Sequence, residues 1–189
     1  MNMKLLRGAA LAAALAPAVA AQAVEYKAVD GASSRVVFTY TQMGVAMDGS
    51  FGKFAAQINF DPARPEAARA VLEIQLASID AGSPEANEEV KGKAWFNAAA
   101  HPLARFESTA VKALGGNRYQ LAGKLSIKGR TREITAPLTY SPQGKVGVFD
   151  GAFTLRRADF AIGEGQWADF GVVANDIQVK FHITSPAAR

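Results

Sequence analysis

The sequence predicts an all-β protein, an eight-stranded antiparallel up-and-down barrel with one short helix inserted between strands. Three observations predict it. Apolar and polar residues alternate with period two in short segments. Gly, Pro, Asn and Asp separate those segments. Only one stretch carries helix-start signals. Strands joined by short loops must hide their edges and bury one face, and a sheet closed on itself does both. A two-sheet sandwich is the alternative.

The chain opens with Lys4 and Arg7, then an apolar run from Ala9 to Ala20, then Ala21-Gln22-Ala23. A basic start, a short apolar stretch and an Ala-x-Ala site make residues 1–23 a secretory signal peptide, cleaved after Ala23 with Ala20 as the alternative site. A membrane anchor needs about 20 consecutive apolar residues; this run is shorter and carries Pro17. With no cysteine in the chain, no lipid can be attached there. Residues 24–185 then form one domain.

Within it, Val36, Phe38 and Tyr40 alternate with Arg35, Thr39 and Thr41. Phe54, Ala56, Ile58 and Phe60 oppose Lys53, Gln57 and Asn59, and Leu72, Ile74 and Leu76 oppose Glu73 and Gln75. Ser83 as N-cap, Pro84 at the first helical position, and acids ahead of Lys91 and Lys93 predict the one helix, between Ser83 and Trp95. Further strands follow along Tyr119–Ile127, Ile134–Tyr140, Phe149–Leu155 and Ile177–Ile183. Gly115-Gly116-Asn117, Lys128-Gly129-Arg130 and Ser141-Pro142-Gln143-Gly144 are the expected hairpin turns, and Asp61-Pro62-Ala63-Arg64-Pro65 breaks the ladder.

Composition narrows the function. The 189 residues carry 21 Lys+Arg against 17 Asp+Glu, and the leader holds two of the basic residues, so the mature excess is small. The basic residues are scattered, which argues against nucleic-acid binding. Zero cysteines exclude thiol catalysis, thiolate zinc sites and disulfides, and two histidines, His101 and His182, make a histidine-rich metal site a poor expectation. Glu73, Lys124, Lys128 and Lys180 stand on the polar face at mid-strand, where a bilayer would penalise them. The expected barrel therefore has an apolar interior.

The residues expected to line that interior are Phe38, Tyr40, Phe54, Ile58, Leu72, Ile74, Leu76, Phe106, Leu121, Leu125, Phe153, Ile177 and Phe181. Ala56, Gly123, Ala136 and Gly151 interrupt the dry rows. They either leave volume for a guest or face larger side chains in a filled core, and the pattern alone supports both readings equally. On the first reading, Leu at Gly123 or Gly151 blocks the guest and leaves the fold tolerable. An apolar guest would gain about 0.8 kcal/mol per buried CH₂, roughly 4 kcal/mol per prenyl unit.

Eight blocks in order carry a resemblance to a known family: Ser34-Arg-Val-Val-Phe38; Gln42-Met-Gly-Val45; Gly49-Ser-Phe-Gly-Lys-Phe54; Phe60-Asp-Pro62 with Ala77-Ser-Ile-Asp80; Ala94-Trp-Phe-Asn97; His101-Pro-Leu-Ala-Arg-Phe-Glu-Ser-Thr109; Gly123-Lys-Leu-Ser-Ile-Lys-Gly-Arg-Thr131; and Arg157-Ala-Asp-Phe-Ala-Ile-Gly163. The chain resembles the YceI-like family of secreted polyisoprenoid-binding proteins from about Val24 to Thr184. That resemblance implies a lipocalin-like barrel in the periplasm whose tunnel holds an isoprenoid lipid, a quinone tail or polyprenyl chain. It implies no cofactor beyond that ligand, and leaves a homodimer and a transient membrane contact open. Ser33-Ser34 stands where the family commonly has His-Ser, and Ala81-Gly82 where Thr-Gly is familiar.

Catalytic patterns are weak. Ser108 lies near His101 and Glu107 but differs from them in parity along the strand, so no hydrolase triad is expected. His101 reads as a turn residue before Pro102, and His182 as solvated. Asp159, Glu164 and Asp169 lie in a loop with Trp167 and Phe170, which either edges a mouth or is a solvated connection. The leading expectation is a non-enzymatic carrier. An interaction module with a filled core, serving a membrane redox partner, is the alternative, and an enzyme acting on a small hydrophobic substrate the weaker one.

Overall fold

The computed structural model describes residues 24–188. The leader expected at residues 1–23 lies outside that range. One antiparallel sheet of ten strands dominates: β1 (Arg35–Gln42), β2 (Val45–Phe51), β3 (Phe54–Asn59), β4 (Arg69–Gln75), β5 (Ile79–Asp80), β6 (Leu103–Gly115), β7 (Arg118–Ile127), β8 (Arg130–Gln143), β9 (Val146–Arg156) and β10 (Asp176–Pro186). The one α-helix, α1 (Pro84–Lys91), begins where expected, with the Ser83 hydroxyl accepting the Ala86 N–H at 3.2 Å.

The strands run in the order β3-β4-β6-β7-β8-β9-β10-β1-β2-β5. Eight strands in a closed barrel were expected; the sheet has ten, with β2 and the two-residue β5 outside the expected segments, and no ladder joins its end strands β3 and β5 among the described residues. β2 bends into β3 at Gly52-Lys53, and β4 bends into β5 through a 3-10 turn, Leu76–Ser78. Each half pairs with a different neighbour: β2 with β1 and β5, β3 with β4. A strand turning that sharply round a curled sheet needs a break or a glycine to bend on. The two bends are tied together by Gly52 N–H to Ser78 O (3.0 Å), Lys53 N–H to Ser78 Oγ (2.9 Å) and Gln75 N–H to Lys53 O (3.0 Å).

The long hairpins β6–β10 follow period two closely. A bulge between Ser108 and Ala110 shifts the inward positions of β6 from Ala104, Phe106 and Ser108 to Val111. The β7–β8 turn is the tight one expected, with Lys128 and Gly129 both left-handed (φ 50° and 73°). The β8–β9 turn is shorter than expected: Ser141 and Pro142 belong to β8, opposite Val148 and Gly147. A proline so near a strand's end loses one ladder bond only.

Side chains divide the interior along its axis. At one end Tyr26, Phe60, Tyr119, Tyr140 and Phe149 form a buried aromatic plug, edge-to-face in several pairs, with Tyr26 and Tyr140 hydroxyls 2.8 Å apart. At the other, Leu76, Trp95, Leu125, Ile127, Phe160, Ile162 and Val173 cluster beneath α1 and the 157–175 loop.

Candidate binding cavity

Between these clusters the sheet leaves space. A cavity of about 520 Å³ lies on the α1 side, and a second of about 120 Å³ lies toward the aromatic plug. Val36, Ile74, Ala104, Leu125, Phe153 and Val179 line both, so the two abut at a common waist. The interior axis is not filled by the protein's own side chains.

Of the residues read from the sequence as lining, Phe38, Tyr40, Leu76 and Ile177 face the larger cavity. Ile58, Leu72, Phe106, Leu121 and Phe181 face the smaller, and Ile74, Leu125 and Phe153 both. Phe54 lines neither; it packs against the aromatic plug cluster. Parity along β1 and β10 also carried Val36 and Val179. Trp95, Phe96, Ile162, Trp167 and Val173 complete the larger cavity, and no periodicity marks them, because they lie outside the long strands.

The small residues divide. Ala56 and Ala136 line the smaller cavity. Gly123 and Gly151 do not open space: the Phe106 ring covers one and the Phe181 ring the other. Gly49 lies in the same way under Phe38. A Cβ on Gly151 would stand 2.7 Å from the Pro137 carbonyl oxygen besides entering the ring. A ring laid over a cross-strand glycine lets a curling sheet keep both packing and curvature. The expectation that leucine at these glycines blocks a guest in a tolerant fold is therefore corrected; it would strike ring and backbone.

One end of the larger cavity is roofed by α1, which contributes Glu85, Ala86, Glu89 and Val90, and by the loop carrying Ile162, Trp167 and Val173. Arg157 holds that loop. It is 1% exposed, and its five N–H groups all meet backbone carbonyls. Nε reaches Ala174 (3.1 Å), Nη1 reaches Ile162 and Gly163 (2.9 and 3.0 Å), and Nη2 reaches Trp167 and Val173 (both 2.7 Å). The guanidinium lies 5.6 Å from the Trp95 ring centroid and 5.1 Å from that of Phe170. Burial lowers its pKa from the ordinary value. Gly163, at φ 78°, must be glycine, since a Cβ there would enter the guanidinium.

Two contacts tie the roof down. Trp167 Nε1 donates to Glu89 Oε1 at 2.8 Å, joining loop to helix. Lys128 Nζ donates to Ala161 O (2.7 Å) and Glu164 Oε2 (2.8 Å), and Lys128 holds the Glu164 carboxyl below its ordinary pKa. Met47 lines the cavity, whereas Met43 stands exposed on the β1–β2 turn.

The catalytic candidates are not assembled. Buried Ser108 accepts the Ala70 N–H at 2.8 Å, Glu107 pairs with Arg105 on the outer face, and His101 packs over the Gly129 turn. Glu164 is taken by Lys128, and Asp169 accepts the Gly171 N–H at 2.7 Å. His182 pairs with Asp150 at 2.7 Å. Among the described residues no group of three or more His, Asp or Glu could hold a metal ion.

The described residues thus form a curled all-β sheet around an apolar cavity, with a short helix over one end. The chain belongs to the YceI-like domain family, whose model matches residues 27–185. BcnA of Burkholderia cenocepacia, a solved structure, is 42% identical with TM-score 0.81, over 82% of this chain and 98% of that one. A UPF0312 protein of Azotobacter vinelandii is 29% identical over 95% of both chains. A polyisoprenoid-binding domain from Saccharophagus degradans has the same fold at 16% identity, TM-score 0.67, covering 87% of this chain and 99% of its own.

Proposed function

We propose that this protein is a periplasmic carrier of an isoprenoid lipid, a quinone tail or polyprenyl chain, released from its leader after Ala23. The curled sheet acts as a closed barrel round the guest, the tied bends at Gly52-Lys53 and Leu76–Ser78 completing the wall where ladder bonds stop. The observation that carries this reading is the pair of abutting cavities and their apolar walls. The binding described for the Saccharophagus degradans neighbour agrees with it.

Size sets the guest. An apolar cavity of about 150 Å³ takes benzene, so 520 Å³ suits a chain of about twenty heavy atoms, roughly four prenyl units. The smaller cavity adds about one more unit by the same scale. Burial alone drives binding, with no covalent chemistry and no turnover. Exposed Met43 and Val45 beside Gln42, with Phe170 near the roof, form the apolar tip by which the carrier would touch a membrane briefly.

Purification from the periplasm without detergent, solvent extraction and mass spectrometry test the proposal. A prenyl lipid close to one per chain is expected. Protein free of any extractable lipid, from cells that make prenyl lipids, would count against the carrier and favour an interaction module instead.

A further inference from the structure

The rim of the larger cavity is acidic. Three charged side chains line it, Glu85, Glu89 and Arg157. Arg157 offers an anion nothing, because each of its five N–H groups is already bound to a carbonyl and the side chain is buried. Glu85 and Glu89 are exposed on α1, one turn apart, on the face toward the mouth. Lys128, which holds the roof loop, is engaged by Glu164 and the Ala161 carbonyl. Lys91, on the same helix, pairs with Glu88 at 2.8 Å. Ser83 and Gln42 line the same cavity. Among the described residues the Gln42 amide makes no side-chain hydrogen bond, so it has a donor and an acceptor to spare.

We infer that this mouth selects an uncharged head group, an alcohol or a quinone carbonyl, and rejects phosphate and diphosphate esters of the same prenyl tail. The inference rests on the carrier reading and adds the head-group chemistry to it. A diphosphate seated with its tail in the cavity would face two carboxylates, and the lining holds no lysine and no arginine but the fully engaged Arg157 to offset them. Each like-charge approach near a protein surface weakens binding a few-fold. A neutral head meets only the hydrogen-bonding groups of Gln42 and Ser83.

Geranylgeraniol and geranylgeranyl diphosphate share one tail and differ only in the head. Both tryptophans of the chain, Trp95 and Trp167, line the cavity, so their fluorescence reports occupancy. The wild-type protein is expected to bind the alcohol at least about tenfold tighter, with the gap shrinking as salt is raised. In the Glu85→Gln/Glu89→Gln double variant the gap should close to about threefold or less. Glutamine at 89 keeps the acceptor for Trp167, so the roof stays tied. Equal or tighter diphosphate binding by the wild type, or an undiminished gap in the double variant, would overturn the inference while leaving the carrier intact. Failure of both probes to bind would overturn the carrier reading and the inference with it.

Discussion

Replacing Arg157 by lysine tests what holds the roof of the cavity. The charge is kept, but five N–H donors become three on a single nitrogen. The five carbonyls that Arg157 serves span Ile162 to Ala174, and one nitrogen cannot reach that spread at hydrogen-bond distance. At least two carbonyls lose their donor in a site that is 1% exposed. Each such buried loss costs about 1–3 kcal/mol, so Arg157→Lys should destabilise the fold by about 2–6 kcal/mol. The flat stack against Trp95 and Phe170 is lost as well. In urea, with a slope of about 2 kcal/mol/M, the midpoint should fall by about 1–3 M. Amide exchange should speed first between residues 161 and 174, before the strands open. A midpoint within about 0.3 M of wild type, with protection of that loop unchanged, would show that charge alone suffices and refute the accounting.

Two further substitutions separate wall from space. Gly151→Leu drives a side chain into the Phe181 ring and the Pro137 carbonyl; the expected cost is about 3 kcal/mol or more, a fall in Tm of about 6–12 °C. An unchanged Tm in a thermal melt would show that Phe181 can vacate that position freely. Ala104→Leu adds bulk at the waist shared by the two cavities. It should cost about 1–3 kcal/mol and shorten the extracted prenyl tail by about one unit, the content of the smaller cavity. Mass spectrometry reads the tail length directly, and an identical tail would mean that the guest never passes the waist.

The strands were legible because a curled sheet imposes a simple rule: alternate residues face in. Leu72 and Ile74, Leu121 and Leu125, Phe153, Ile177 and Phe181 obey it without exception. Phe54 has the right parity and pairs with the cavity-lining Ile74, but it stands on β3, the end strand of the sheet, and lines neither cavity, which alternation does not encode. Strand number was misread because β2 carries Asp48, Gly49 and Ser50 and β5 is two residues long, so neither shows an alternating apolar run. The roof was the least legible part. Arg157 reads as a surface residue in any hydropathy pattern, and its burial follows from carbonyls contributed by a loop with no period.

The glycines carry the wider lesson about how the cavity is made. Small residues in the dry rows left missing volume and a filled core equally open; Gly123 and Gly151, and Gly49 with them, are each covered by a phenylalanine from the neighbouring strand. A ring lying over a glycine is turned along the wall instead of pointing to the axis. Phe38, Phe106 and Phe181 therefore occupy the wall positions beside the space, and all three line a cavity. The void comes from where the rings lie and not from the atoms the glycines lack. At the plug end the aromatic residues meet one another, as Phe60 does with Tyr119, Tyr140 and Phe149, and Tyr26, which itself lies over Gly147, joins them. The same residue type thus packs against itself at one end of the sheet and lines the wall of its middle.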